Sequence, residues 1–276
     1  MPRRLAYFGP TGTNTEQACI NYDPDAVRLP YTPIAAVADA VESGEADEGV
    51  VPIENSLEGS VTDTLDLLVH HSVLFIRHEL VLPIKHFLVA ARGTSVEAVG
   101  VVYSHPQALG QCRGFLASRL PDAEVVASMS TATAVEDMLR RGAEAAAIAT
   151  RRAAEIYGGV VIAEGIEDDQ NNMTRFVVLA ATDHPRTGTD KTSACFSFDE
   201  DAPGVLHRVL AEFGDRGINL AKIESRPTRE SLGRYIFLVD LEGHREDEIV
   251  REALARVKDQ VSTLKIFGSY PKHGTG

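Results

Sequence analysis

From Leu5 to about Ala181, short apolar runs alternate with amphipathic segments, and that rhythm constrains the fold of this chain more than any other feature. The runs are LAYF, AVRLPY, EGVVPI, VGVVYS, AEVVAS, AAAIAT, GVVIAE and RFVVLAA. Each has the length of a strand, and most are separated by stretches with apolar residues at helical spacing, which predicts an α/β fold with largely parallel strands. The rhythm breaks once. From Val73 to Ala91 the chain is β-rich and has no helical segment, VLFIRHELVLPIKHFLVA, a stretch suited to carrying the backbone into a second lobe. VGVVYS through AAAIAT then forms another α/β unit before the chain returns. The expected result is two lobes with a cleft between them.

A polar segment with Pro and Gly, DHPRTGTDK at Asp183 to Lys191, reads as a linker. Beyond it TSACFSF is a strand, Val205 to Phe213 a helix, INLAKIES and RYIFLVDL strands, Glu246 to Val257 a helix, and STLKIFGSY a closing strand. The order βαββαβ is the ferredoxin-like arrangement, a four-stranded sheet with two helices on one face. The division expected is a two-lobed domain at 1–182 and a smaller one at 192–276.

With 44% hydrophobic and 24% charged residues, the chain has the composition of an ordinary globular protein. A net charge of −13 with no Lys/Arg run argues against nucleic acid as a partner, so an anionic substrate must be held by local donors. The segment MPRRLAYFGP reaches a Gly-Pro turn too soon for a signal-peptide core, and no apolar run approaches membrane-spanning length, which points to the cytoplasm and to no membrane partner. Cys19, Cys112 and Cys195 are far apart and outside any CxxC spacing. They read as small buried apolar residues, with neither a disulfide nor a metal site suggested.

Several segments carry polar residues where a strand meets a helix. In EGVVPIENSLEGSV, Glu48 to Val61, an apolar strand ends in Glu54, Asn55 and Ser56, at the sheet edge where α/β proteins bind ligands. A polar turn capped by Ser60, with Asp63 three residues on, is the alternative. FGPTGTNTEQA places Thr11 in a Gly9-Pro10-Gly12 turn ahead of the capping pair Thr13 and Glu16. Lacking the P-loop Lys, it suits either a small carboxylate or no ligand at all. VGVVYSHPQALGQC ends a strand at Ser104 and puts Gln107 and Gln111 on one helix face, while His105 is an acid–base candidate or a cap before Pro106. SMSTATAVED exposes Ser130 and Thr131 ahead of the pair Thr133 and Glu136. EDDQNNMTRFVVLA sets Asn172, Thr174 and Arg175 at a strand entrance, with Arg175 either a fork for a substrate carboxylate or a partner of Glu167, Asp168 or Asp169. No catalytic triad order, HExxH, nucleophile elbow or dinucleotide fingerprint is present. The site therefore reads as cofactor-free and suited to a small polyanionic organic acid.

Taken together from Gly9 to Phe176, these segments resemble the prephenate dehydratase family: GPxGTxxEQA, VVPIENSxEGSV, SHPQALxQC with STA after it, and NxTRF. The last domain resembles an ACT domain through PGVLHRVLAEFGDRGINLAKIESRP. The resemblance implies a periplasmic-binding-protein-like catalytic domain and a lyase that needs no cofactor. Its reaction would be the decarboxylative dehydration of prephenate to phenylpyruvate in L-phenylalanine biosynthesis. It further implies a homodimer or homotetramer with phenylalanine bound at ACT interfaces as feedback inhibitor. With no chorismate mutase segment visible, a monofunctional enzyme is expected.

By the same resemblance Thr174 is the essential hydroxyl, and Glu54, Asn55 and Gln111 belong with it to the catalytic set; the division of labour expected here has Thr174 as donor to the leaving oxygen and Glu54, if desolvated, as the proton source behind it. Thr11, Ser56, Ser104, Gln107, Ser130, Thr131, Arg175 and Phe176 line the substrate pocket. Gly204, Val205, Leu206, Asn219, Leu220, Glu224 and Ser225 hold phenylalanine, with Arg226 and Pro227 structural. Asn14 stands where the family usually has an aromatic, and Val205 where Ala is commoner. Two other readings fit: an arogenate dehydratase, whose substrate has an amine for the keto group, and a two-lobed binding protein without catalysis.

Overall fold

In the computed structural model, which describes residues 2–199, 202–228 and 234–274, the chain opens as a β-α-β-α-β unit. Its elements are β1 (Arg4–Phe8), α1 (Asn14–Tyr22), β2 (Val27–Tyr31), α2 (Ile34–Glu42) and β3 (Glu48–Asn55), with β1 parallel to both β2 and β3. A two-residue strand β4 (Gly59–Ser60) folds back on the end of β3, and α3 (Thr62–Asp66) runs into a single π-helical turn, Leu67–His71. The backbone then crosses to the second lobe through β5 (Phe75–Pro83) and β6 (Phe87–Ala90). That lobe contains β7 (Val101–Ser104), α4 (Pro106–Gln111), α5 (Arg113–Arg119), β8 (Glu124–Ala127), α6 (Thr131–Arg141), β9 (Ala145–Ala149), α7 (Arg151–Tyr157) and β10 (Val160–Glu164). Finally β11 (Met173–Ala180) returns to the first sheet.

The two sheets have the orders β2-β1-β3-β11-β5 and β10-β6-β9-β7-β8. They are mixed rather than largely parallel: β11 is antiparallel to β3 and β5, and β6 to β9 and β10. The reason is connectivity. A parallel pair needs a crossover segment, normally a helix, whereas the strands that shuttle between lobes follow one another without one. The two connectors are tied together, Ile84 N–H bonding to Asn172 O at 2.8 Å and Ile166 N–H to His86 O at 3.3 Å. They form the floor between the lobes.

The smaller domain has β12 (Asp190–Ser197), α8 (Val205–Gly214), β13 (Leu220–Pro227), β14 (Tyr235–Glu242), α9 (Glu248–Lys258) and β15 (Thr263–Pro271), in an antiparallel sheet of order β13-β14-β12-β15. One face is covered by its own helices, through Val209, Phe213, Val250 and Leu254. The other face joins the core of the first lobe, where Cys195, Ile236, Leu238 and Phe267 pack with Ile53, Leu65 and Leu67. The segment read as a linker is strapped down as well, with Arg245 paired to Asp183 at 3.0 Å and His184 N–H bonded to Ser269 O at 3.0 Å. All three cysteines are buried and unpaired, and burial pushes the Cys19 and Cys195 thiols up to about 12.

Gly268 sets how closely β15 approaches β5. Its φ is +149°, and a Cβ there would collide with the Ile76 carbonyl oxygen and stand 2.8 Å from the Ile76 nitrogen. Both neighbours are backbone and cannot swing away. Gly268→Ala is therefore expected to cost roughly 1–3 kcal/mol by strain and sheet separation, seen as a lower urea midpoint. An unchanged midpoint would contradict this close approach.

Candidate active site

The cleft between the lobes encloses about 520 Å³ and is walled by three helix starts and the cleft-facing side of β3 and β11. Helix α1 is capped by Thr13, whose hydroxyl accepts from Glu16 N–H, and α6 by Ser130, whose Oγ accepts from Thr133 N–H at 2.9 Å. His105 caps the short α4, its Nδ1 accepting from Gln107 N–H at 3.3 Å, so the capping reading of this residue fits. No Asp, Glu, Lys or Arg is among the described residues lining the cleft. With the starts of α1 and α6 in its wall, helix-end N–H groups are what the cleft offers an anion.

One hydrogen-bonded chain runs across this wall, and its direction follows from two backbone amides. Leu57 N–H and Glu58 N–H donate to Asn55 Oδ1 at 2.9 and 3.0 Å, which fixes the Asn55 carboxamide with its NH₂ outward. Asn55 Nδ2 then donates to Thr174 Oγ1 at 2.9 Å and to Asn172 Oδ1 at 2.7 Å. Asn172 Nδ2 in turn donates to Gln111 Oε1 at 3.0 Å. Since Thr174 Oγ1 accepts from Asn55, its own proton is free to be donated. Thr174 and Asn55 are cross-strand partners on β11 and β3, and both line the cleft.

Gln107, Gln111, Ser130, Thr131 and Phe176 line the same cleft, as do Asn14 and His86. Five expected residues do not. Glu54 and Arg175 are the next cross-strand pair and face the smaller domain. Arg175 binds Glu54 at 2.9 Å, Asp240 at 2.9 Å and Glu79 at 3.3 Å, and Lys222 binds Glu54 at 3.1 Å. This corrects both roles read for Arg175, the substrate fork and the pairing with the acidic turn, and it removes Glu54 as a proton source inside the cleft. Ser104 is fully buried and donates to Ile148 O at 2.7 Å, a bond that joins β7 to β9. Ser56 is exposed and accepts from Met173 N–H at 2.9 Å, and Thr11 bonds the Tyr7 hydroxyl at 3.0 Å beneath the turn. Ser60 does not cap α3: the cap position is Val61, and Ser60 lies in β4.

His86 was absent from the expectations. A lone His in PIKHF sits in an apolar run, and nothing local marks it as a cleft residue. Among the described residues, no group of three or more His, Cys, Asp or Glu could hold a metal ion.

A profile described as prephenate dehydratase matches residues 5–184. The chain belongs to the prephenate dehydratase family. The ACT domain profile matches residues 200–259. A bifunctional chorismate mutase/prephenate dehydratase of Aquifex aeolicus is 43% identical, over 98% of this chain and 74% of that one. A prephenate dehydratase of Mycobacterium leprae is 40% identical, over 97% and 86%. The crystal structure of prephenate dehydratase from Arthrobacter aurescens in complex with L-Phe superposes with a TM-score of 0.90 and 37% identity, covering 99% of this chain and 91% of that one. The cleft wall described above is thus the wall of a dehydratase-family fold.

In the ACT domain, Gly204, Val205 and Leu206 line a cavity of about 270 Å³ together with Phe198, Arg234, Tyr235 and Phe237. Asn219, Leu220, Glu224 and Ser225 are not in the lining of this cavity. Strand β13 alternates, so Lys222, Glu224 and Arg226 face the first lobe and Ser225 faces out. Glu224 accepts from Ser60 Oγ at 2.5 Å and pairs with Lys222 at 3.3 Å, while Arg226 pairs with Asp66 at 3.4 Å. Asn219 and Leu220 are outside the cavity lining, and the Asn219 carbonyl accepts from Glu242 N–H.

Proposed function

We propose that this protein is a prephenate dehydratase, and the reading turns on the hydrogen bond from Asn55 to Thr174, which leaves the Thr174 proton available. In the reaction, the electron pair of the bond to the departing carboxylate enters the ring and expels the hydroxyl oxygen at the opposite carbon. That oxygen takes up a proton and leaves as water, and the new aromatic ring supplies the driving force. The protein needs to orient the anion and stabilise charge on the departing oxygen. Thr174 Oγ1 accepts from Asn55 at 2.9 Å, so its hydrogen points away from that bond and serves the leaving oxygen. The starts of α1 and α6, with Gln107 and Gln111, receive the carboxylates.

Incubating the purified protein with prephenate and following phenylpyruvate tests the reading, with arogenate in parallel. A binding protein makes no aromatic product from either, and product from arogenate alone assigns the sister activity. Glu54 is occupied by Arg175 and Lys222 on the far side of the sheet, so Glu54→Gln is expected to leave the shape of the pH–rate curve unchanged. A lost limb in that curve would return Glu54 to the chemistry.

L-phenylalanine fits the ACT cavity as regulator, its ring against Phe198 and Phe237 and its backbone groups near the start of α8. In this reading Val205 narrows that pocket relative to Ala. Inhibition requires that phenylalanine bind one arrangement of the domains more tightly, so substrate must weaken phenylalanine by the same factor. The oligomer, a homodimer or homotetramer, would form through ACT domains, where β13 is an edge strand with Ile223 48% exposed. A cytoplasmic address goes with this biosynthetic role.

A further inference from the structure

His86 is 4% exposed, lies in the connector between the lobes, and contributes to the cleft lining. Its Nε2 is 2.9 Å from Gln111 Oε1, and its Nδ1 is buried with no hydrogen-bond partner. The direction of the amide chain decides what this contact is. Starting from the Leu57 and Glu58 backbone N–H groups, each carboxamide is oriented by the one before it, so Gln111 presents its oxygen to Asn172 and to His86. An oxygen facing His86 requires a proton on Nε2. The other neutral tautomer would set two lone pairs against each other at 2.9 Å and leave a buried N–H unpaired as well.

We propose that His86 is a positioning residue for the reaction: it donates from Nε2 to Gln111 Oε1 and, with Asn172, turns the Gln111 NH₂ toward the substrate. The proposal rests on the reading of Gln111 as a substrate ligand. With its oxygen held twice, the Gln111 amide keeps its nitrogen on the open side, where the described residues offer a single 3.5 Å contact, to exposed Glu58. Burial pushes the His86 imidazole below its ordinary range, against the opposing pull of the Gln111 bond and of Glu167. The ring is therefore held neutral, a single donor with fixed direction. Its backbone is fixed too, His86 N–H donating to Glu167 Oε2 at 2.9 Å while Lys85 pairs with the other oxygen at 3.1 Å. Gln111 belongs to the second lobe and Asn55, Asn172 and Thr174 to the first lobe and its connector, so His86 helps set the amide that joins the two halves of the site.

Two measurements on the full chain test this. Nitrogen–proton correlation spectra at neutral pH should show the Nε2–H tautomer for His86, and the Nδ1–H form overturns the inference. In steady-state kinetics with prephenate, His86→Leu is expected to lose ~10-fold in kcat/KM and His86→Gln, which restores an N–H donor, no more than ~3-fold. In a Gln111→Ala background His86→Leu should add less than about twofold, because the positioned group is gone. Equal losses in both backgrounds make His86 structural only and overturn the inference alone. A Gln111→Ala variant that turns over like the parent removes the reading of Gln111 and this inference with it.

Discussion

Thr174→Val is expected to lower kcat by ~10²- to ~10³-fold, the range found when one donor to a developing oxyanion is removed, with KM little changed. Val matches Thr in shape and suits the interior of a strand, so β11 should keep its pairing with β3 and β5. The loss of the hydroxyl leaves no orphan behind. Asn55 Nδ2 retains Asn172 Oδ1 at 2.7 Å and the Met173 carbonyl at 3.2 Å as acceptors, so the amide chain survives and the variant tests one proton. Thr174→Ser, which keeps the oxygen, should recover most of the turnover. Rates from single-turnover conversion of prephenate, compared across the three proteins, separate chemistry from binding. Near-normal turnover by Thr174→Val would end the assignment of Thr174 to the leaving oxygen.

The strand periodicity that made the fold legible also explains which site residues were misplaced. Apolar runs from LAYF to RFVVLAA marked strands β1 to β3 and β7 to β11 in order, and the helix-free stretch from Val73 marked the crossing between lobes. Motif resemblance then grouped Glu54 with Asn55 and Thr174 with Arg175. Neighbours on a strand point to opposite faces, so at most one of each pair could reach the cleft. Asn55 and Thr174 are the pair that does, while Glu54 and Arg175 face the ACT sheet. The sequence could not tell which, because the deciding partner, Asp240, is 65 residues away in another domain. The same holds for Ser104, whose hydroxyl goes to Ile148 O on a neighbouring strand. His86 was missed because its role depends on an amide direction fixed by backbone groups 28 and 29 residues earlier in the chain.

Removing Arg175 should unfold the protein more readily than any cleft substitution. The residue is 8% exposed, and its guanidinium lies among Glu54, Glu79 and Asp240, of which Glu79 is 2% and Asp240 7% exposed. Burial opposes its charge, but the carboxylates, Asp240 first, then Glu54 and Glu79, more than offset that and hold it firmly protonated. Arg175→Met keeps the aliphatic volume and strands the carboxylates, for which an uncompensated buried charge predicts a cost of roughly 3–5 kcal/mol. The cost falls unequally. Glu79 keeps Lys191 at 2.9 Å and Glu54 keeps Lys222 at 3.1 Å, whereas Asp240 is left with the Ser193 hydroxyl. A second substitution, Asp240→Asn, should therefore return a large part of the lost stability in the Arg175→Met background while costing stability in the parent, a sign change that simple loss of packing would not give. Urea unfolding of the four proteins measures it, and additive losses would mean that Asp240 is not the charge Arg175 holds. Because Arg175 adjoins Thr174 on β11 and Asp240 belongs to the ACT sheet, the same pair ties that sheet directly to the strand that carries Thr174.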